Sequence, residues 1–377
     1  MHIAFLTPEY PHSLSKSSGG LGTSIKNLAE GLVENDQKVS VIVYGQDENA
    51  IVFENGIQFY FIKQKKYVFG GWFLYRKHLQ KLLNKLIKTE NIDIVEAPDW
   101  TGITAFMQLN CPLVIRLNGS DGYFCALEGR KQKFKNRIFE KTALRHTNAL
   151  ASVSKFTAEK TNEVFGLNKT FTIIPNSIQA ENFKPIPDKV ISNQILYFGT
   201  IIRKKGILEL AFIFNEVYKQ NPQAELVLIG KDVVDIFENC STLEIFKENL
   251  DVIAQSNVTW KTEVDYSEIQ QYIAAAQVIV LPSFAEALPM TWLEAMAMEK
   301  ALVTSNIGWA NEVMLDGETG FSVDPKDHKT FARCILELLE NPDLGRKMGK
   351  NARNKVKAGF SSKIVAKKNM EFYRRQI

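Results

Sequence analysis

At 377 residues the chain is longer than a single hydrophobic core usually organises, so its length points to two domains. With 45% hydrophobic and 23% charged residues it has the composition of an ordinary soluble globular protein. No apolar run is long enough to cross a bilayer, and the opening MHIAFLTPEYP turns polar too early for a secretory signal, so the expected location is cytoplasmic.

The net charge of +4 hides an asymmetry. Residues 1–185 hold 23 Lys+Arg against 17 Asp+Glu, and the remainder holds 23 against 25, which suggests that the first half meets an anionic partner or surface. The pI near 8.6 falls short of nucleic-acid binders, so no nucleic-acid partner is expected. Cys111, Cys125, Cys240 and Cys334 are scattered, and none of the five histidines pairs with a Cys or His at ligand spacing. Neither a disulfide framework nor a tightly bound metal is expected.

In chain order, HIAFLT reads as a buried parallel strand. A Pro-, Ser- and Gly-rich loop follows, then a helix with apolar positions Ile25, Leu28, Ala29 and Leu32, for which Thr23 or Ser24 is the candidate cap. KVSVIVY is the next strand. Gly19, Gly20 and Gly22 stand at this first βα turn, where missing side chains let the backbone approach a phosphate; duty in a flexible loop is the alternative. They do not complete a GxGxxG fingerprint, and Tyr44 and Gly45 occupy the place where an acidic residue would end the second strand.

Residues 63–88 carry eight Lys or Arg and no acid, interleaved with Tyr67, Phe69, Trp72, Phe73 and Tyr75. Such a segment suits an anionic membrane surface; equally, Leu79, Leu82, Leu83 and Leu86 can face a core with the lysines in water. IDIVEAP followed by DWTG, and PLVIRLNGSD, are strands ending in polar turns. They set Asn118, Ser120 and Asp121 at a strand's carboxyl end, where open α/β sheets bind ligands. A second basic stretch, GRKQKFKNRIFEKTALRH, reads as helical from about Lys133.

The prolines between Pro175 and Pro187 mark the domain boundary. The expected division is 1–183, 184–360 and 361–377, the last a helix returning to the first domain. Beyond the boundary NQILYFGT, AELVLIG, QVIVLPS and KALVTSN are strands, and ILELAFIFNEVYKQ is a helix. The α/β alternation in both halves means two Rossmann-like domains facing each other across a cleft.

Two segments stand out in the second half. IIRKKG sets Arg203, Lys204 and Lys205 directly after a strand, as diphosphate cations or as surface charges. In LPSFAEALPMTWLEAMAME a helix starts near Leu288 or Pro289, leaving Glu286 in the loop and Glu294 inside the helix. The pair either grips sugar-nucleotide hydroxyls at the helix end or is a helix cap and a wet-face glutamate.

With these motifs on the page, the chain resembles the retaining glycosyltransferases of family 4, which have the GT-B fold. The resemblance rests on GGLGTSIKNLAEGL, SVSKFTAEKT, IIPNSI, FGTIIRKKG, LVLIG, PSFAEALPMTWLEAMAM and NEVMLDGETGF. It implies metal-independent transfer from a nucleoside-diphosphate sugar to a carbohydrate or lipid-linked acceptor, in cell-surface polysaccharide or glycolipid synthesis, with no cofactor. Under it Glu286 contacts donor-sugar hydroxyls, Glu294 the ribose and Lys205 the diphosphate; Gly20, flanked by Gly19 and Gly22, admits the phosphate. Leu288, Pro289, Met290 and Thr291 complete the donor contacts. Many members carry Arg where this chain has Thr200, so Arg203 would supply that cation from a shifted position. Many also carry His where Asn118 stands, and Asn118 would orient the donor sugar without relaying a proton. With residues 63–88 the expected location extends to a peripheral place on the inner membrane face. The alternatives are a nucleotide-sugar epimerase and a non-catalytic sugar-nucleotide-binding protein.

Overall fold

The computed structural model describes residues 1–377 except Ser17, Asn148 and Glu263 and the side chains of Pro187, Tyr266 and Ser267. It divides the chain into two units, Met1–Ile178 with Phe360–Ile377, and Gln179–Gly359.

The first unit runs β1 (His2–Thr7), α1 (Gly20–Val33), β2 (Lys38–Gln46), β3 (Ala50–Glu54), β4 (Ile57–Lys63), α2 (Gly71–Glu90), β5 (Ile94–Pro98), β6 (Leu113–Leu117), α3 (Asp121–Leu127), α4 (Phe134–Arg145), β7 (Ala149–Ser152), α5 (Lys155–Phe165) and β8 (Thr172–Ile173). Its sheet has the order β3-β4-β2-β1-β5-β6-β7-β8, parallel except for β3, which pairs antiparallel with β4 across a tight Asn55–Gly56 turn. β1 is buried at every position, because a central parallel strand is covered by helices on both faces.

The second unit runs β9 (Gln194–Phe198), α6 (Ile207–Gln220), β10 (Glu225–Ile229), α7 (Thr242–Glu248), β11 (Val258–Lys261), α8 (Tyr266–Ala275), β12 (Val278–Leu281), α9 (Met290–Ala297), β13 (Leu302–Ser305), α10 (Ala310–Val313), β14 (Gly320–Val323), α11 (His328–Glu340) and α12 (Pro342–Gly359). Its parallel sheet has the order β11-β10-β9-β12-β13-β14, so connections run outward one way from β9 and then the other way from β12. That reversal is the doubly wound pattern, whose ligands gather at the carboxyl ends of the two strands flanking the switch. In the first unit the switch falls between β1 and β5.

The last helix, α13 (Ser362–Arg374), belongs to the first unit. Its Val365, Ala366, Met370, Phe372 and Tyr373 join the core formed by α1, β1 and β2. Gly31 of α1 lets the two helices close together: a Cβ there would lie 3.1 Å from the Ser362 carbonyl.

Two helix starts differ from the sequence expectation. α1 begins at Gly20, with Gly19 in the capping position and no side-chain cap. Thr23 and Ser24 already lie inside the helix, where Thr23 Oγ1 donates to the Gly19 carbonyl and Ser24 Oγ to Asn176 Oδ1. α9 begins at Met290, with Pro289 in extended backbone just before it.

Candidate active site

In the second unit the switch point brings together segments that are eighty residues apart in the chain. After β9 the backbone makes a single 3-10 turn, Arg203–Lys205, and passes through Gly206 at φ 72°, where a Cβ would stand 1.9 Å from the Pro282 carbonyl. Only glycine permits that approach. The amides of Phe284 and Ala285 then donate to the Lys204 carbonyl at 2.8 and 3.2 Å, locking the loop after β12 onto the turn after β9.

The consequence is an ion pair between Lys205 Nζ and Glu286 Oε1 at 3.2 Å, both side chains largely shielded, with Ser283 Oγ donating to the same oxygen at 3.3 Å. Lys205 Nζ also lies 3.5 Å from the Cβ position of Gly199.

Gly199 opens onto a cavity of about 550 Å³ at the carboxyl ends of β9, β10 and β11, lined among others by Thr200, Lys231, Thr262, Asp265 and Glu294. Glu294 is 4% exposed, so it is not a wet-face residue. Nor does Glu286 cap α9, because Pro289 takes that place without any side-chain cap. Leu288, Pro289 and Met290 are buried and Thr291 half-buried at the opening of α9.

Arg203 has a carboxylate partner of its own. It is held in a two-point pair with Asp235, Nε to Oδ2 at 2.7 Å and an amino group to Oδ1 at 3.1 Å, and lies over the Phe237 ring. Asp235 is 1% exposed and also accepts the Phe237 and Glu238 amides. The arginine therefore organises the loop after β10, and Lys205 is the cation set beside Glu286 and Gly199.

Gly19, Gly20, Gly22 and Asn118 lie in the first unit. Glu9, which sequence reasoning passed over, places Oε1 on the Gly19 and Gly22 amides at 2.9 and 2.8 Å, so these first-turn donors are already engaged by a carboxylate. Gly22 is fixed by packing, since a Cβ would strike Ser18 and the Tyr10 backbone, whereas nothing lies within 4 Å of a Cβ on Gly20. Gly20 alone of the three leaves open space.

Asp99 and Glu140 are further residues not singled out from the sequence. Asp99 follows β5, is 2% exposed, and accepts the Asn118 amide on Oδ1 at 3.0 Å; its Oδ2 and the Asn118 Oδ1 have no hydrogen-bond partner among the described residues. Burial, opposed by hydrogen bonds from backbone amides, pushes the Asp99 carboxyl up to about 8. Glu140 is fully buried on α4 and accepts the Thr101, Asp121 and Gly122 amides and the Gln132 side chain, fixing the turn that carries Asn118 into α3; burial raises it to about 7. The signal for Asp99 was its place in the polar turn after a strand; Glu140 had none, because a glutamate on a basic helix reads as solvated.

Because its folded pKa lies above the unfolded value, Asp99 keeps a proton that the unfolded chain gives up from about pH 4 upward. Stability fully present below that pH is therefore lost as pH rises through about 8. Asp99→Asn, a neutral isostere, is expected to exceed the parent by at least about 1 kcal/mol at pH 9 and to match it at pH 4, as read by urea unfolding.

Two doubly wound parallel-sheet units, one holding a shielded Lys–Glu pair beside a polar cavity at its switch point, define a GT-B α/β enzyme. The sequence comparisons agree. The family profile described as Glycosyltransferase Family 4 matches residues 18–182, and that described as Glycosyl transferases group 1 matches 179–355. The chain belongs to the family-4 type of glycosyltransferase, which does not favour the epimerase and sensor readings.

Among similar proteins, the capsular polysaccharide biosynthesis glycosyltransferase CapM of Staphylococcus aureus is 26% identical over 245 residues, 64% of this chain and 60% of its own. Sucrose-phosphate synthase of Thermosynechococcus elongatus superposes with a TM-score of 0.81 at 20% identity, over 99% of this chain and 98% of that one. HepE of Anabaena, solved with UDP-glucose, gives 0.75 at 17% identity over the whole of both chains.

Proposed function

We propose that the protein is a retaining, metal-independent glycosyltransferase that moves a sugar from a nucleoside diphosphate to a hydroxyl of a cell-surface polysaccharide or glycolipid. The observation that carries this reading is the Lys205–Glu286 pair, with the Lys205 ammonium beside Gly199, which lines a cavity of about 550 Å³ together with Glu294. A ribose on Glu294 and a diphosphate running past Gly199 would bring the leaving oxygen to Lys205 and the sugar hydroxyls to Glu286. As the bond from the anomeric carbon to the diphosphate breaks, negative charge grows on that oxygen, and a preplaced ammonium stabilises it without reorganising. Gly20 and Asn118 are the first-unit residues this reading assigns to the donor. The acceptor class is supported by the similarity to CapM and by the basic aromatic segment 63–88, with the enzyme working peripherally on the inner membrane face.

The test is thermal denaturation with UDP-, GDP- and ADP-sugars. One base series is expected to add roughly 2.7 kcal/mol of stability at a hundredfold over its dissociation constant. Glu294→Gln should remove most of that shift. If none of the three series moves the transition, the reading is wrong.

A further inference from the structure

The feature that the transfer reading draws on only as a stretch of sequence is an apolar, cationic face on the first unit. The chain leaves β4 at its carboxyl end and enters a loop without regular structure, in which Val68 is 91% and Phe69 85% exposed. α2 then starts with Trp72, Phe73 and Leu74, all more than a third exposed. The other side of α2 does what a soluble helix should: Tyr75, Leu79, Leu83 and Ile87 are buried in the core beneath β5. Helix burial therefore accounts for the leucines and leaves the loop and first turn unexplained.

The structure adds a second element to this face that the sequence kept sixty residues away. Trp72 stacks on Phe139 of α4 at 5.0 Å, and Phe106 meets Trp72, Phe73 and Phe139 at 6.0 to 6.1 Å. Phe134, in the first turn of α4, is 77% exposed. α4 brings its own charge: residues 129–139 hold five Lys or Arg and no acid, as 63–88 hold eight and none. Lys63, Lys65, Lys66, Lys133 and Lys135 are all exposed.

We propose that the loop 64–70, the first turn of α2 and the start of α4 form one docking face for an anionic lipid bilayer. This deepens the membrane part of the function proposed above and rests on that reading only for the acceptor. Charge selects the occupant. A second copy would set two cationic faces against each other, whereas acidic headgroups meet the lysines while exposed apolar tips enter the acyl boundary. No helix among the described residues is long and apolar enough to span, so the contact is peripheral. The loop follows the carboxyl end of β4, the same edge at which the chain places Glu9, Asp99 and Asn118 after β1, β5 and β6. A unit docked this way turns its ligand edge toward the lipid, as transfer to a lipid-linked acceptor requires.

The experiment is co-sedimentation of the full chain with vesicles of phosphatidylcholine alone or with a third phosphatidylglycerol, without nucleotide. Binding is expected only to the anionic vesicles and should weaken with salt. Val68→Ser/Phe69→Ser and Lys65→Glu/Lys133→Glu alter exposed side chains and should each lower partitioning at least tenfold, the second because each cation near the headgroups is worth about fivefold. Their response to nucleotide sugars in thermal denaturation, measured without vesicles, should be unchanged, so loss of docking and loss of donor binding are read separately. Equal binding to neutral vesicles, no binding to anionic ones at low salt, or indifference to both variants overturns the proposal. So does a change of oligomeric state or retention on an acidic protein or nucleic-acid matrix as the only effect of the variants.

Discussion

Lys205→Ala is expected to lower sugar transfer by about 10² to 10³-fold, the roughly 3 kcal/mol that removing one preplaced donor to a developing anion costs in comparable sites. The loss should lie in kcat, because the charge the ammonium meets is largest as the diphosphate departs. Glu286→Ala should cost as much by a different route, since it takes away the proposed sugar contact and frees the lysine it holds at 3.2 Å. The double variant is expected to be well short of the product of the two losses, as for groups that act as a unit. Steady-state transfer or donor hydrolysis measures all three, and unchanged turnover in both single variants rules out the site. Arg203→Ala serves as a contrast. Its guanidinium is tied to Asp235, so its loss should loosen the loop after β10 and raise KM more than it lowers kcat.

The largest expected effect on stability lies in the first unit. Arg116 and Glu96, on neighbouring strands and 5% and 4% exposed, meet in a two-point pair at 2.6 and 2.9 Å. Asn369 of α13 accepts from the same guanidinium, and the Tyr373 hydroxyl donates to Glu96 Oε2 at 2.7 Å. Burial works against the charged arginine, yet Glu96 and Tyr373 outweigh it and hold the guanidinium above its usual range. Arg116→Met leaves a carboxylate buried without its counter-charge and is expected to cost about 3–5 kcal/mol. Replacing both partners, Arg116→Met/Glu96→Met, should restore much of the loss, because two apolar side chains carry no desolvation penalty. Hydrogen exchange in β5, β6 and α13 is the measurement, since a chain of two units need not unfold in one step. If α13 stays as protected in Arg116→Met as in the parent, the network is not what fastens the C-terminal helix.

Local rules were enough wherever one element supplies the answer. Buried strands such as β1, β9 and β12 read as continuous apolar runs, and α6 coincides with ILELAFIFNEVYKQ, because burial on both sheet faces and a 3.6-residue period are written into neighbouring residues. Alternating strands and helices gave two doubly wound units, and Glu286 outside its helix with Glu294 within it followed from one proline.

Partnership between distant residues was decided only by the tertiary structure. Arg203, Lys204 and Lys205 are three cations in a row on paper; folding gives Arg203 to Asp235 and Lys205 to Glu286, across 32 and 81 positions. Glu9 on the glycine amides, the raised Asp99 carboxyl and buried Glu140 were likewise invisible, as was the meeting of Trp72 with Phe139. The physical reason is common to all of them. Periodicity and propensity act over a few residues, whereas a charge's partner, its desolvation and hence its chemistry depend on which strand ends the fold sets side by side.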